Sequence, residues 1–173
     1  MEKKSAFGPS LMSGIYLGFA LIAYSLVLFL LDIDRESPLQ YISFIILAIG
    51  LFMAIISFRN KHMGGFIEYK VAFGAGFYAG LFASLLTAIY TFIYAQYIDP
   101  GLAQEILLQS EEQILEKYPD MSDEQIEQAL SMTEMFTSPI MMAIMNLIVN
   151  LLISTVLSLL IAIFAKRENK EIA

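Results

Sequence analysis

The chain has no cysteine, a single histidine and, within four long stretches, no charged residue at all. Without cysteine, disulfides, iron–sulfur clusters and thiol chemistry are excluded. His62 is the lone histidine, set beside Arg59 and Lys61 in a turn, so no metal-spaced histidine cluster exists. There is no Gly-rich phosphate loop and no nucleophile elbow. Asp120, Asp123 and Glu124 lack the alternating spacing and the glycine of an EF-hand loop, so they read as helix-start charges on a solvated face. The chain is therefore read as a non-enzyme, with no catalytic residues, no cofactor and no metal.

The four stretches without Asp, Glu, Lys, Arg or His are Leu11–Leu31, Tyr41–Phe58, Val71–Ile98 and Pro139–Ala165. About 20 apolar helical residues cross the roughly 30 Å hydrocarbon core of a bilayer. Hydrophobic residues make up 58% of the 173-residue chain, and the polar ones sit almost wholly between these stretches. The pattern predicts an all-α, polytopic membrane protein: a four-helix transmembrane bundle in a single membrane domain, with the bilayer as its surroundings. The first stretch follows Lys3 and Lys4 as a signal peptide would, but it is longer than the roughly 7–15 apolar residues of an h-region and lacks a small-residue cleavage site. It reads as a retained span.

Eight of the ten Lys and Arg fall on one side of these spans: Lys3, Lys4, Arg59, Lys61, Lys70, Lys166, Arg167 and Lys170. Only Arg35 and Lys117 lie in the alternate loops. The positive-inside rule then places both termini and the middle loop in the cytoplasm. The opposite side carries thirteen acidic groups against two basic ones, a net of −11, and the cytoplasmic side nets +4, together the −7 of the whole chain. So few basic groups, placed where topology needs them, give no support to nucleic-acid binding.

Residues 99–138 form the one sizeable segment outside the spans, with ten acidic residues and one basic, Lys117. Asp99-Pro100 suggests a helix start, with Asp as the cap and Pro at the first helical position. Leu102, Ile106, Leu107, Ile114 and Leu115 roughly share a helical face, and Pro119 ends it. Ser122-Asp123-Glu124-Gln125 reads as a capping box opening a second helix, with Ile126, Leu130 and Met135 inward. Ser138-Pro139 repeats the cap-and-proline signature before the last span. The segment is expected to be an acidic extracytoplasmic helical hairpin between spans three and four.

Within the spans, two ladders at four-residue spacing stand out. Ala72, Gly76, Gly80, Ser84 and Ala88 share one face of span three, and Asn146, Asn150, Ser154, Ser158 and Ala162 share one face of span four. Small residues let helix backbones approach in lipid, so these faces are candidates for a span three–span four contact. Ser10, Gly14 and Gly18 on span one, and Gly50 and Ala54 on span two, offer further close approaches. Gly14-Ile15-Tyr16-Leu17-Gly18 also echoes Gly76-Phe77-Tyr78-Ala79-Gly80, a three-residue match that shared packing demands account for. Amides facing lipid would go unsatisfied, so Asn146 and Asn150 are expected to point inward, either into an interhelical hydrogen bond or into a polar site. Tyr90, Tyr94 and Tyr97 near the end of span three, with Tyr41 on its neighbour, fit headgroup-level anchors.

The whole pattern resembles a bacterial family described as domain of unknown function 4199. The residues that carry the resemblance are Gly14 and Gly18, the run Arg59 to Gly65 leading to Phe66, Ile98-Asp99-Pro100 opening the acidic segment, and Ser158 to Ala162 running into Lys166-Arg167. The resemblance implies a four-helix inner-membrane protein and transfers no catalytic residue. The expectation is an interaction or accessory protein of the bacterial inner membrane, meeting a membrane-protein partner or a second copy through 99–138. The alternative is a small transporter or oligomeric channel using the Asn146/Asn150 face, although carriers usually hold ionisable groups within the membrane and these spans have none.

Overall fold

The computed structural model describes residues 6–35 and 37–167. Lys3, Lys4 and Lys170, which enter the charge count above, lie outside the described residues. The chain is all-α. Its helices are α1 (Phe7–Leu30), α2 (Ile42–His62), α3 (Tyr69–Ile93), α4 (Leu102–Lys117), α5 (Asp123–Thr137) and α6 (Pro139–Ala165). A 3₁₀ turn at Pro38–Tyr41 leads into α2, and a π-helical turn at Tyr94–Ile98 follows α3. Among the described residues there is no strand; Ile67 and Arg167 form one isolated antiparallel bridge, each N–H donating to the other's carbonyl at 2.9 Å.

Four helical segments are long and apolar enough to cross a membrane: Phe7–Leu30, Pro38–His62, Tyr69–Ile98 and Pro139–Ala165. This is a multi-pass membrane protein. The helices overrun the uncharged stretches at polar ends, α2 continuing through Arg59 and Lys61 to His62, where cations offset the carbonyl end of the helix dipole. Large apolar side chains point outward: Phe19, Leu30, Ile45, Met53, Leu152, Ile163 and Phe164 are all exposed. Water would penalise such a surface, whereas hydrocarbon does not.

The chain divides into two compact units. One comprises the described residues up to Thr87 together with those from Leu147 to Arg167; the other is Ala88–Asn146. In the first, α3 is the hub. Half of its apolar window is buried, against 22%, 28% and 17% for the windows of α1, α2 and α6. What it buries is small. Ala72, Ala75, Ala79 and Ala83 recur at intervals of three or four residues, so they form one inward helical stripe. Around them pack Leu17 of α1, and Leu47, Leu51, Ile55 and Phe58 of α2. Gly14 of α1 lies so near α3 that a Cβ there would come within 2.5 Å of the Ala79 carbonyl oxygen.

The ends are closed by local chemistry. After α1, Asp32 takes the left-handed conformation (φ 51°), its N–H donating to Phe29 O while Ile33 N–H donates to Leu28 O. That is a Schellman closure with Asp in the place glycine usually holds. Tyr24 Oη donates to Leu39 O at 2.6 Å and ties α1 to the 3₁₀ turn. After α2, Gly64 and Gly65 have φ of 64° and 91°, and Gly65 N–H donates back to Arg59 O. Arg59 Nη1 donates to Ala165 O at 3.1 Å, satisfying a terminal carbonyl of α6, and the Arg167 guanidinium sits over the Phe66 ring.

The second unit holds the acidic hairpin. At the end of α3 the π turn is closed by Asp99 N–H donating to Tyr94 O, and the Tyr94 hydroxyl donates to the Asp99 carboxylate at 3.3 Å. The start of α4 differs from the sequence reading. The cap position is Gly101, without a side-chain bond, and the Asp99 carboxylate accepts from the Tyr94 hydroxyl. Helix α5 opens as a capping box, with Ser122 N–H donating to Gln125 Oε1 at 3.2 Å. Ser138 Oγ donates backward to Met135 O, and Pro139 begins α6.

Candidate functional site

Two regions hold the residues singled out by the sequence. The first is the seam between α3 and α6 in the first unit. Gly76 faces Ser158 and Gly80 faces Ser154: a Cβ at Gly76 would fall 2.6 Å from Ser158 Oγ, and one at Gly80 would fall 2.5 Å from Ser154 Cβ. Ile55 and Leu51 of α2 close the same two positions, with Ile55 Cδ1 at 2.8 Å and Leu51 Cδ2 at 3.6 Å from those points. Both serines are fully buried and neither hydroxyl has a hydrogen-bond partner. Buried hydroxyls are ordinarily satisfied, so the two here add cost, offset by the close helix approach that their small size permits. Ser84, further along the α3 ladder, is 2% exposed, and its carbonyl accepts from Thr87 Oγ1 at 3.1 Å.

Asn150 lies in the first unit and Asn146 in the second. Each is half-buried and each has an interaction partner, so neither amide is stranded. At the start of α3 Glu68 and Lys70 are exposed, and Tyr69 Oη donates to Leu159 O at 3.5 Å. His62 is exposed and stacked on Phe58, with ring centroids 5.4 Å apart. Among the described residues no three acidic or histidine side chains converge as a metal site would need.

The second region is a groove of about 660 Å³ along the α4–α5 hairpin. Helix α4 lines it with Gln104, Leu107, Leu108, Glu111 and Leu115; α5 lines it with Asp123, Ile126, Glu127, Leu130, Ser131 and Glu134. On both helices the spacing is three or four residues, so each contributes one continuous face. Ile126, Leu130 and Leu107 are half-buried and make the floor, whereas Leu108 is 60% and Leu115 50% exposed. Glu111, Asp123, Glu127 and Glu134 are exposed along the rim. Met135, expected inward, is 55% exposed instead. It lies five residues beyond Leu130, which places it off the face that α5 turns to α4.

The sequence had marked the hairpin and several of its apolar positions. It had not separated the residues that join α4 to α5 from those left open. The available signal was the spacing of Gln104, Leu107, Leu108, Glu111 and Leu115, an apolar track edged by polar side chains.

A family model described as protein of unknown function (DUF4199) matches residues 13–167. No curated protein and no solved structure matches the chain.

Proposed function

The chain belongs to the DUF4199 family, and we propose that it is a non-enzymatic interaction protein of the bacterial inner membrane, with both termini cytoplasmic and the α4–α5 hairpin outside, meeting a partner there. The charge partition supports the orientation: the last turn of α2, the first turn of α3 and the residues just after α6 carry Arg59, Lys61, Lys70, Lys166 and Arg167, while ten of the acids lie in 99–138.

One observation supports the interaction reading above the rest. Leu108, Leu115, Tyr118, Met132 and Met135 expose between 50% and 60% of their surface on two helices that are otherwise acidic and outside the four apolar spans. Of these, Leu108 and Leu115 line the groove beside Glu111, and apolar side chains set beside a polar rim are the ordinary mark of a surface that another molecule covers. A transporter reading needs wet space along the α6 ladder. At Gly76 and Gly80 a methyl group would overlap Ser158 and Ser154, so at these two contacts the ladder packs against α3.

Crosslinking in native membranes tests the reading, with photoreactive residues placed one at a time at exposed positions from Gln104 to Gln128. The expected result is one partner captured reproducibly and lost on deletion of Leu102–Thr137. If that deletion leaves every co-purifying protein in place, the interaction reading fails. Attention then moves to flux measurements on the Asn146→Leu/Asn150→Leu variant.

A further inference from the structure

Resting on the interaction reading, we infer the chemistry of the partner: the α4–α5 groove takes a basic amphipathic helix, which lies along it as a third helix. The groove supplies the two features such a helix requires. Its floor and one wall are apolar, from Leu107, Leu108, Leu115, Ile126 and Leu130, and its rim is acidic. Along α4 the lined stretch from Gln104 to Leu115 is about 17 Å long at 1.5 Å per residue. That matches three turns of a docked helix, enough for apolar anchors at i, i+3 or i+4, and i+7. The volume of about 660 Å³ is that of a trough for side chains.

Charge selects among the occupants. Glu111, Glu127 and Glu134 with Asp123 ring the trough, and between residues 99 and 138 the sole cation is Lys117, outside the groove lining. A second copy of the hairpin would set carboxylates against carboxylates, which destabilises a contact. A bilayer surface, zwitterionic or anionic, offers this rim no net positive charge. A helix with leucine-like anchors flanked by Lys and Arg satisfies floor and rim together, and a cationic partner is steered toward a patch of this sign at low salt.

The test uses the full-length protein in phosphatidylcholine nanodiscs and two fluorescent synthetic helices of roughly 15 residues, the length at which an isolated helix begins to hold. Both carry the same leucine stripe, one with lysine and the other with glutamate on the polar face. Anisotropy titrations, referenced to empty nanodiscs, give the affinities. The lysine helix is expected to bind saturably and the glutamate helix not. The Glu111→Lys/Glu127→Lys variant should weaken the lysine helix on the order of tenfold and bind the glutamate helix in its place. Leu108→Glu, on an exposed wall position, should weaken the lysine helix with helical content unchanged.

Equal binding of both helices, binding that survives the charge reversal, or binding of neither overturns the inference. A photoreactive residue at Leu108 that joins two copies of the chain overturns it too, since the second copy is then the occupant. A control probe at Gln109, exposed on the same helix but outside the lining, must stay silent. None of these failures touches the broader interaction reading, which falls only if deleting Leu102–Thr137 leaves the captured proteins of native membranes unchanged.

Discussion

Gly80→Ala puts the α3–α6 seam to its sharpest test. The new Cβ would sit 2.5 Å from Ser154 Cβ, 3.0 Å from Ser154 Oγ and 3.6 Å from Leu51 Cδ2. Carbon atoms pack best at about 3.5–4.0 Å, so the first contact is roughly 1 Å too short. Ser154 Cβ is fixed to its backbone and cannot rotate away; α6 itself must move. Overpacking of this kind costs about 1–3 kcal/mol. Alanine is the better helix former by about 0.5–1 kcal/mol, which offsets part of that. The net expectation is a loss of roughly 1–2 kcal/mol.

Two companions isolate the cause. Gly74, on the same helix, has nothing within 4 Å of an added Cβ, so Gly74→Ala should gain the propensity term alone. Ser154→Gly removes the atom that Gly80→Ala strikes, and the double variant should recover most of the loss, a coupling of about 1–2 kcal/mol. Reversible unfolding in mixed micelles, followed by far-UV circular dichroism, measures all four proteins. If Gly80→Ala matches Gly74→Ala in sign, or if the two changes at Gly80 and Ser154 simply add, the helices do not meet in this register.

Three further outcomes follow from the same geometry. Ser158→Ala keeps the Cβ against Gly76 but removes a buried oxygen without a partner, so stability should rise by about 1 kcal/mol in the same titration. Arg59→Ala takes the donor from Ala165 O, and hydrogen exchange should quicken at the last turn of α6 by a local loss of about 1 kcal/mol. Gln125→Ala removes the acceptor for Ser122 N–H and should fray the first turn of α5 at a cost of about 0.5–1 kcal/mol, seen as faster exchange near Ile126.

The spans were legible because charge is so costly in hydrocarbon that its absence over 18 or more residues leaves few alternatives. The hairpin was legible because its breaks are chemical: Pro119 cannot continue α4, and Ser122 with Gln125 closes the start of α5. Where the sequence misled, a side chain had a competing use. Asp99 was read as a cap, yet Tyr94 holds its carboxylate and the helix starts at Leu102. The π turn at Tyr94–Ile98 leaves no compositional trace in a run that holds no glycine, proline or charge. The Schellman closure at Asp32 was hidden because glycine, the usual marker, is absent.

The spacing of four on spans three and four identified faces, but a face does not name its neighbour. In a helix that is apolar all round, periodicity says little about which side meets protein and which meets lipid. Size carries that information instead. The hub helix turns Ala72, Ala75, Ala79 and Ala83 inward and leaves Leu85, Ile89 and Ile93 exposed, the reverse of a soluble core, where the largest apolar side chains are sequestered. Lipid lowers the reward for burying bulk, so small residues hold the inward face of α3, where they allow backbone contact, while Leu47, Leu51 and Ile55 of α2 fill the space against them. The same choice takes up space that chemistry would need at the Gly76–Ser158 and Gly80–Ser154 contacts. The 88–146 unit, with a trough open between two acidic helices, is where the chain keeps apolar surface outside its membrane spans.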